Sequence, residues 1–211
     1  RALIGNTCAR RMHEWDHRKR NAHQQLGNAD ASRLTSHQPM IRRAGENISA
    51  REVEAVLREY HATMGAIITR HEGTIDRFAG DGILIFFNDP LPLPDAAPRA
   101  ALTALEMQTA FAPLRQRWVK LGYDLDLGIG IAHGYATLGA FGFEGRWDYS
   151  AIGSVVNLAA RLCGEARHGQ ILIDRRTCAK LEDADVEPIG PLPLKGYAQP
   201  VPVFLLKRFV Q

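Results

Sequence analysis

Two side chains in the stretch Trp147–Ala166, WDYSAIGSVVNLAARLCGEA, have the types and spacing to hold a phosphorylated ligand. Asn157 and Arg161 are four residues apart, which on a helix stacks them on one face, one turn above the other. A neutral amide beside a permanent cation near a helix start suits ribose and phosphate oxygens. Any solvated polar helix face has the same spacing, so the pair alone leaves both readings open. The helix it requires is legible. Trp147, Tyr149 and Ile152 mark an extended segment that meets Gly153, and Ser154 is expected to act as N-cap. Val155, Leu158, Ala159 and Leu162 fall at i, i+3, i+4 and i+7, so one face is buried. Asp81 lies in FAGDG, where by itself an Asp-Gly pair reads as an ordinary turn.

Around these residues the chain alternates helical and extended patterns. Ser49 and Glu52 form a capping box ahead of a long amphipathic helix that ends near Gly73. Thr74–Phe78 and Ile83–Phe87 read as a hairpin about Ala79–Gly82. The loop NDPLPLPDAAP precedes a second long helix, about Arg99–Leu121, which Gly122 stops. Leu125, Leu127, Ile129 and Ile131 alternate as a half-buried strand. His133-Gly134 is expected to turn it into another strand, Tyr135–Phe141. After the helix at Ser154 come a strand at Gln170–Ile173, a short helix at Arg175–Leu181 and a strand at Val201–Phe209. The mixture is α+β, with an antiparallel-rich sheet.

Composition narrows the function classes. With 26 basic and 23 acidic side chains the net charge is +3, too small to make nucleic acid the main partner. Cys8, Cys163 and Cys178 are odd in number and lack C-x-x-C spacing, which argues against a disulfide framework or zinc site and for a reducing, cytoplasmic setting. The longest apolar run, Ile83–Phe87, is far short of the roughly 20 residues of a membrane helix, and no secretion signal is evident. Residues 1–46 carry few large apolar side chains, so they are expected to be a poorly ordered basic segment ahead of a domain over 47–211. The basic run RRMHEWDHRKR within it reads as a solvated tail or as a contact for nucleic acid or lipid headgroups.

Four motifs in order, FAGDGILIFF (Phe78–Phe87), LGIGIAHGYATLGAFG (Leu127–Gly142), DYSAIGSVVNLAARL (Asp148–Leu162) and LPLKGYAQPVPVFLL (Leu192–Leu206), resemble the class III adenylate and guanylate cyclases. The similarity runs over roughly 47–209. It implies a ferredoxin-like core with helices packed on one face of the sheet. It also implies conversion of a nucleoside triphosphate to a 3′,5′-cyclic nucleotide and pyrophosphate, in signalling. By the resemblance, Asn157 orients the ribose, Arg161 stabilises charge on the α-phosphate and Lys195 binds the terminal phosphates. Asp81 is one of two aspartates that hold Mg2+ or Mn2+. Arg77 and Ser150 stand at the two base-selecting positions, and a hydroxyl with a cation favours ATP over GTP. Sites in the family are shared across a head-to-tail dimer, which implies a homodimer.

One family feature is lacking. The first metal aspartate ends an apolar strand of the type F-x-D-I-x-G-F-T, ahead of the first long helix. SRLTSHQPMIRRAGEN stands there instead. Asp30 is the remaining candidate, though far from the helix, and the first strand is expected to be missing or replaced. A catalytically silent cyclase-homology domain that binds nucleotide or a partner is therefore the alternative to an active enzyme.

Overall fold

The computed structural model describes residues 2–10 and 50–210. A seven-stranded sheet is covered on both faces by helices. Its strands are β1 (Ala2–Arg10), β2 (Thr74–Ala79), β3 (Gly82–Phe87), β4 (Asp126–Gly134), β7 (Ile171–Asp174), β8 (Ala184–Leu192) and β9 (Val201–Phe209), ordered β2-β3-β1-β4-β7-β9-β8. Strands β5 (Thr137–Phe143) and β6 (Arg146–Ile152) form a separate hairpin. Within the large sheet β4 and β7 run parallel and the other pairs antiparallel, as the alternation of hairpins and helices led us to expect.

A first strand is present, which corrects the expectation that it is missing; Ala2–Arg10, which lacks the F-x-D motif, replaces it. Ala2–Arg10 fills the slot between β3 and β4, with Gly5 opposite Ile85 on one side and Ile131 on the other. Backbone pairing on both edges holds it there. The apolar pattern that announces a strand is weak in ALIGNTCAR, and it lies far upstream of where the family spacing places it.

Helices α1 (Ala50–Arg70) and α2 (Ala96–Lys120) pack on one face, and α3 (Ser154–Glu165) packs on the other. That corrects the one-face arrangement. The reason is visible in β3, where all six residues are buried. Successive side chains of a strand point to opposite faces. Ile83, Ile85 and Phe87 therefore join Tyr60, Met64, Met107 and Phe111 of α1 and α2, while Leu84 and Phe86 join Val155, Ala159 and Leu162 of α3. A strand buried on both sides reads as a continuous apolar run, as GILIFF does.

The glycines of LGIGI bring α3 down onto β4. A Cβ on Gly130 would lie 2.2 Å from the Cys163 backbone nitrogen and 2.4 Å from the Ala159 carbonyl, and one on Gly128 would lie 2.6 Å from the Ala166 carbonyl. Only a bare backbone lets the helix sit this close. Gly153, not Ser154, takes the N-cap position of α3; Ser154 is the first helical residue and no side chain caps the helix. Helix α2 starts three residues earlier than expected and carries Pro113 inside it. It ends at Lys120 with Leu121 as its C-cap, followed by Gly122 at φ 89°, the left-handed conformation suited to a helix stop. Strand β4 continues through His133 to Gly134 before turning. A short helix, α4 (Arg175–Cys178), is capped by Asp174, which accepts from the backbone nitrogens of Arg176 and Thr177.

Candidate active site

The site is built where β2, the β5–β6 hairpin and the start of α3 meet. Arg77 extends from β2, and Ser150 stands on β6, 73 residues further along. The Arg77 Nη2 donates to Ser150 Oγ at 2.8 Å. Both are held by a third residue that the sequence reading did not single out, Asp76. Its side chain is 2% exposed. It accepts from Ser150 Oγ at 3.0 Å to each carboxylate oxygen, from the Ala151 backbone nitrogen at 3.0 Å and from Arg77 Nε at 2.9 Å. These four donor contacts compensate for burying the carboxylate.

Beside this cluster is a cavity of about 480 Å³, lined by Arg77, Leu84, Ala151, Gly153, Val156 and Asn157 among others. Its walls are mostly apolar, with a cation at one side and an amide at the other. A hollow of about 520 Å³ beside the N-terminus of α2 contains none of the expected site residues. The cavity therefore brings Arg77 and Asn157 together, with Ser150 bonded to the first.

The other expected residues lie outside that cavity. Arg161, one turn beyond Asn157, is exposed on α3, and Lys195 is exposed in the loop between β8 and β9. Tyr197 ties this loop to the helix: its hydroxyl donates to the Ser154 carbonyl at 3.2 Å. Burial pushes the Tyr197 hydroxyl above its ordinary pKa, against the opposing field of the Arg161 guanidinium. Lys195 and Arg161 are thus carried on neighbouring elements. Tyr197 also escaped the sequence reading, although its place directly after LKG was the available signal.

Asp81 sits in the two-residue turn between β2 and β3, where Ala79 pairs with Gly82. Gly80, at φ 65°, takes the left-handed position, so the glycine before the aspartate makes the turn. Its carbonyl is a hydrogen-bond partner of His61 on α1. The His61 ring lies 4.5 Å from that of Phe78, and Nε2 is buried with no partner. Burial lowers the His61 pKa.

The residues for two divalent cations are incomplete among those described. Strand β1, whose Thr7 pairs with Ile83 two residues from Asp81, contains no Asp or Glu. No group of three or more His, Cys, Asp and Glu among the described residues could hold a metal ion. Asp30 lies outside the described residues. Of the two metal candidates read from the sequence, Asp81 alone lies among the described residues.

With this geometry in place, comparisons identify the class. The profile of the adenylate and guanylate cyclase catalytic domain matches residues 40–208, and the chain belongs to that family. Adenylate cyclase 1 of Rhizobium meliloti is 28% identical over 163 residues, covering 75% of this chain and 24% of the relative. An uncharacterized protein of Mycobacterium tuberculosis is 32% identical over 157 residues, covering 71% and 27%. The chain thus spans about a quarter of the length of the curated relatives it matches. Among solved structures, the adenylyl cyclase CyaB from P. aeruginosa superposes with a TM-score of 0.79 at 26% identity, over 100% of this chain and 95% of that one. The guanylyl cyclase Cya2 gives 0.74 at 29% identity, over 100% and 94%. The fold is that of a cyclase catalytic domain, and no described helix is long and apolar enough to cross a membrane.

Proposed function

We propose that this domain converts ATP to 3′,5′-cyclic AMP and pyrophosphate as a homodimer whose two sites are each completed by both copies. The observation that carries the ATP reading is the Arg77–Ser150 pair at the edge of the cavity. Arg77 has N–H donors left over for adenine N1, and a Ser150 lone pair faces the 6-amino group. In the reaction the 3′-oxygen bonds to the α-phosphorus, the bond from that phosphorus to the bridging oxygen breaks, and the 3′-hydroxyl proton leaves to solvent. Asn157 holds the ribose so that the 3′-oxygen is in line. Arg161 donates to the α-phosphate oxygens as negative charge builds on them, and Lys195 meets the terminal phosphates. Mg2+ or Mn2+ is part of this proposal, with Asp81 as its ligand from the described chain.

The homodimer reading draws support from the β5–β6 hairpin. It leaves the main sheet and exposes Phe143 at 69% and Trp147 at 62%, with Ile152 also exposed. Apolar side chains clustered on one projecting element mark an interaction surface. Placing Asp81 of a second copy opposite Asn157 and Arg161 brings the dispersed groups to one triphosphate.

A catalytically silent domain is the second reading, favoured by the absence of a carboxylate from β1. Purified protein incubated with ATP and Mn2+, and separately with GTP, decides between them. Cyclic AMP with stoichiometric pyrophosphate is the expected result. Nucleotide binding without product from either triphosphate would establish the silent reading.

A further inference from the structure

We propose that Asp76 sets the base preference of the site by fixing the direction of the Ser150 hydroxyl proton. This rests on the reading in which Arg77 and Ser150 meet the base. The chemistry of the three side chains leaves one arrangement. A carboxylate only accepts hydrogen bonds, a guanidinium only donates them, and a hydroxyl carries one proton and two lone pairs. The Ser150 proton therefore goes to Asp76, 3.0 Å from each oxygen, while Arg77 Nη2 occupies one lone pair at 2.8 Å. What Ser150 keeps for a base is its other lone pair, an acceptor, next to the unused donors of Arg77, which lines the cavity.

Adjacent donor and acceptor match the edge of adenine, where N1 accepts and the 6-amino group donates. Guanine carries the reverse order: O6 would meet the Ser150 lone pair, and N1–H would meet an Arg77 N–H. Unpaired or opposed polar groups of this kind are what separates close analogues in a desolvated site. Asp76 reaches neither base. It is buried, and the Ala151 backbone nitrogen and Arg77 Nε hold it from two further directions. It is a positioning residue, and it acts through the hydroxyl rather than through its own charge.

Asp76→Asn tests this with little change in size. The amide oxygen still accepts from Ala151, and its NH2 donates to Ser150 Oγ, which frees the hydroxyl proton to point into the cavity toward guanine O6. The readout is the ratio of affinities for 3′-deoxy-ATP and 3′-deoxy-GTP, which lack the attacking hydroxyl and bind without turnover, measured by calorimetry. Wild type is expected to prefer the adenine analogue. Asp76→Asn is expected to cut that preference by about tenfold or more. In a Ser150→Ala background the same change should move the ratio by less than about twofold, which a merely structural role of Asp76 would not produce. If thermal melting shows Asp76→Asn to be unfolded, the ratio is read on Asp76→Ala, where a free hydroxyl rotor should also erode the preference. A wild-type protein that binds both analogues equally overturns the ATP reading. A wild-type preference that persists unchanged in the folded Asp76 variant overturns the role of Asp76 and leaves the ATP reading standing.

Discussion

The two ends of the candidate site are organised differently. At the base end, Asp76, Arg77, Ser150 and the Ala151 backbone are tied together by bonds of 2.8–3.0 Å within one chain. At the phosphate end, Asp81, Arg161 and Lys195 sit on a turn, a helix and a loop, and the cavity beside Arg77 includes none of them. In the proposed function the base meets groups already tied together within one chain. The phosphates are there met by side chains dispersed over separate elements, which a ligand and a second copy would gather. On that proposal, specificity is preorganised at one end and charge stabilisation is assembled at the other.

Mutations at the two ends should separate. Arg161→Ala is expected to lower kcat about 10²–10³-fold, the scale of losing one donor to a developing charge, with melting temperature unchanged because the side chain is exposed. Asn157→Ala should follow it with a smaller loss. Cyclic AMP assays and thermal melting read both, and wild-type turnover in either variant contradicts the assignment.

Moving the platform beneath both residues gives the next largest effect. Gly130→Ala would press a methyl into the backbone of α3 at Cys163 and Ala159. The helix must retreat, which is expected to cost about 1–3 kcal/mol of stability by urea unfolding and to reduce turnover. Gly139→Ala in β5 meets nothing within 4 Å and should do neither. Equal stability of the two variants would show that α3 does not depend on its close seat against β4.

The smallest effect expected is a pH dependence under the Asp81 turn. Burial lowers the His61 pKa in the folded chain, so between that value and the unfolded value of about 6.5 the unfolded state binds more protons. Stability from this residue is full above about pH 6.5 and is lost as pH falls through the folded pKa. His61→Phe should flatten the acid side of a melting-temperature profile below about pH 6.5; an unaltered slope would assign it to other groups.

Local patterns in the sequence were enough to read much of this. The i, i+3, i+4, i+7 spacing revealed α3, the continuous run GILIFF revealed β3, and Val201–Phe209 was read with its boundaries intact. Two strands were not legible. β1 has few large apolar residues and is secured by pairing with partners some 80 and 130 residues away. β8 contains Pro188 and Pro191, which normally argue against a strand. It tolerates them because it is the sheet edge, with irregular pairing at Pro188/Gly190. Asp76 was hidden for a similar reason. An acid in TIDRF looks solvated until Ser150, 74 residues away, closes over it.

The most direct test of a phosphate end completed by a second copy is complementation. Asp81→Ala and Arg161→Ala proteins, each inactive alone, are mixed in equal amounts and assayed for cyclic AMP. If the two residues act from different subunits, half of the dimers are mixed and each has one intact site, so activity should return to about a quarter of wild type. A mixture as inactive as its components would place both residues in the same subunit's site and contradict the account.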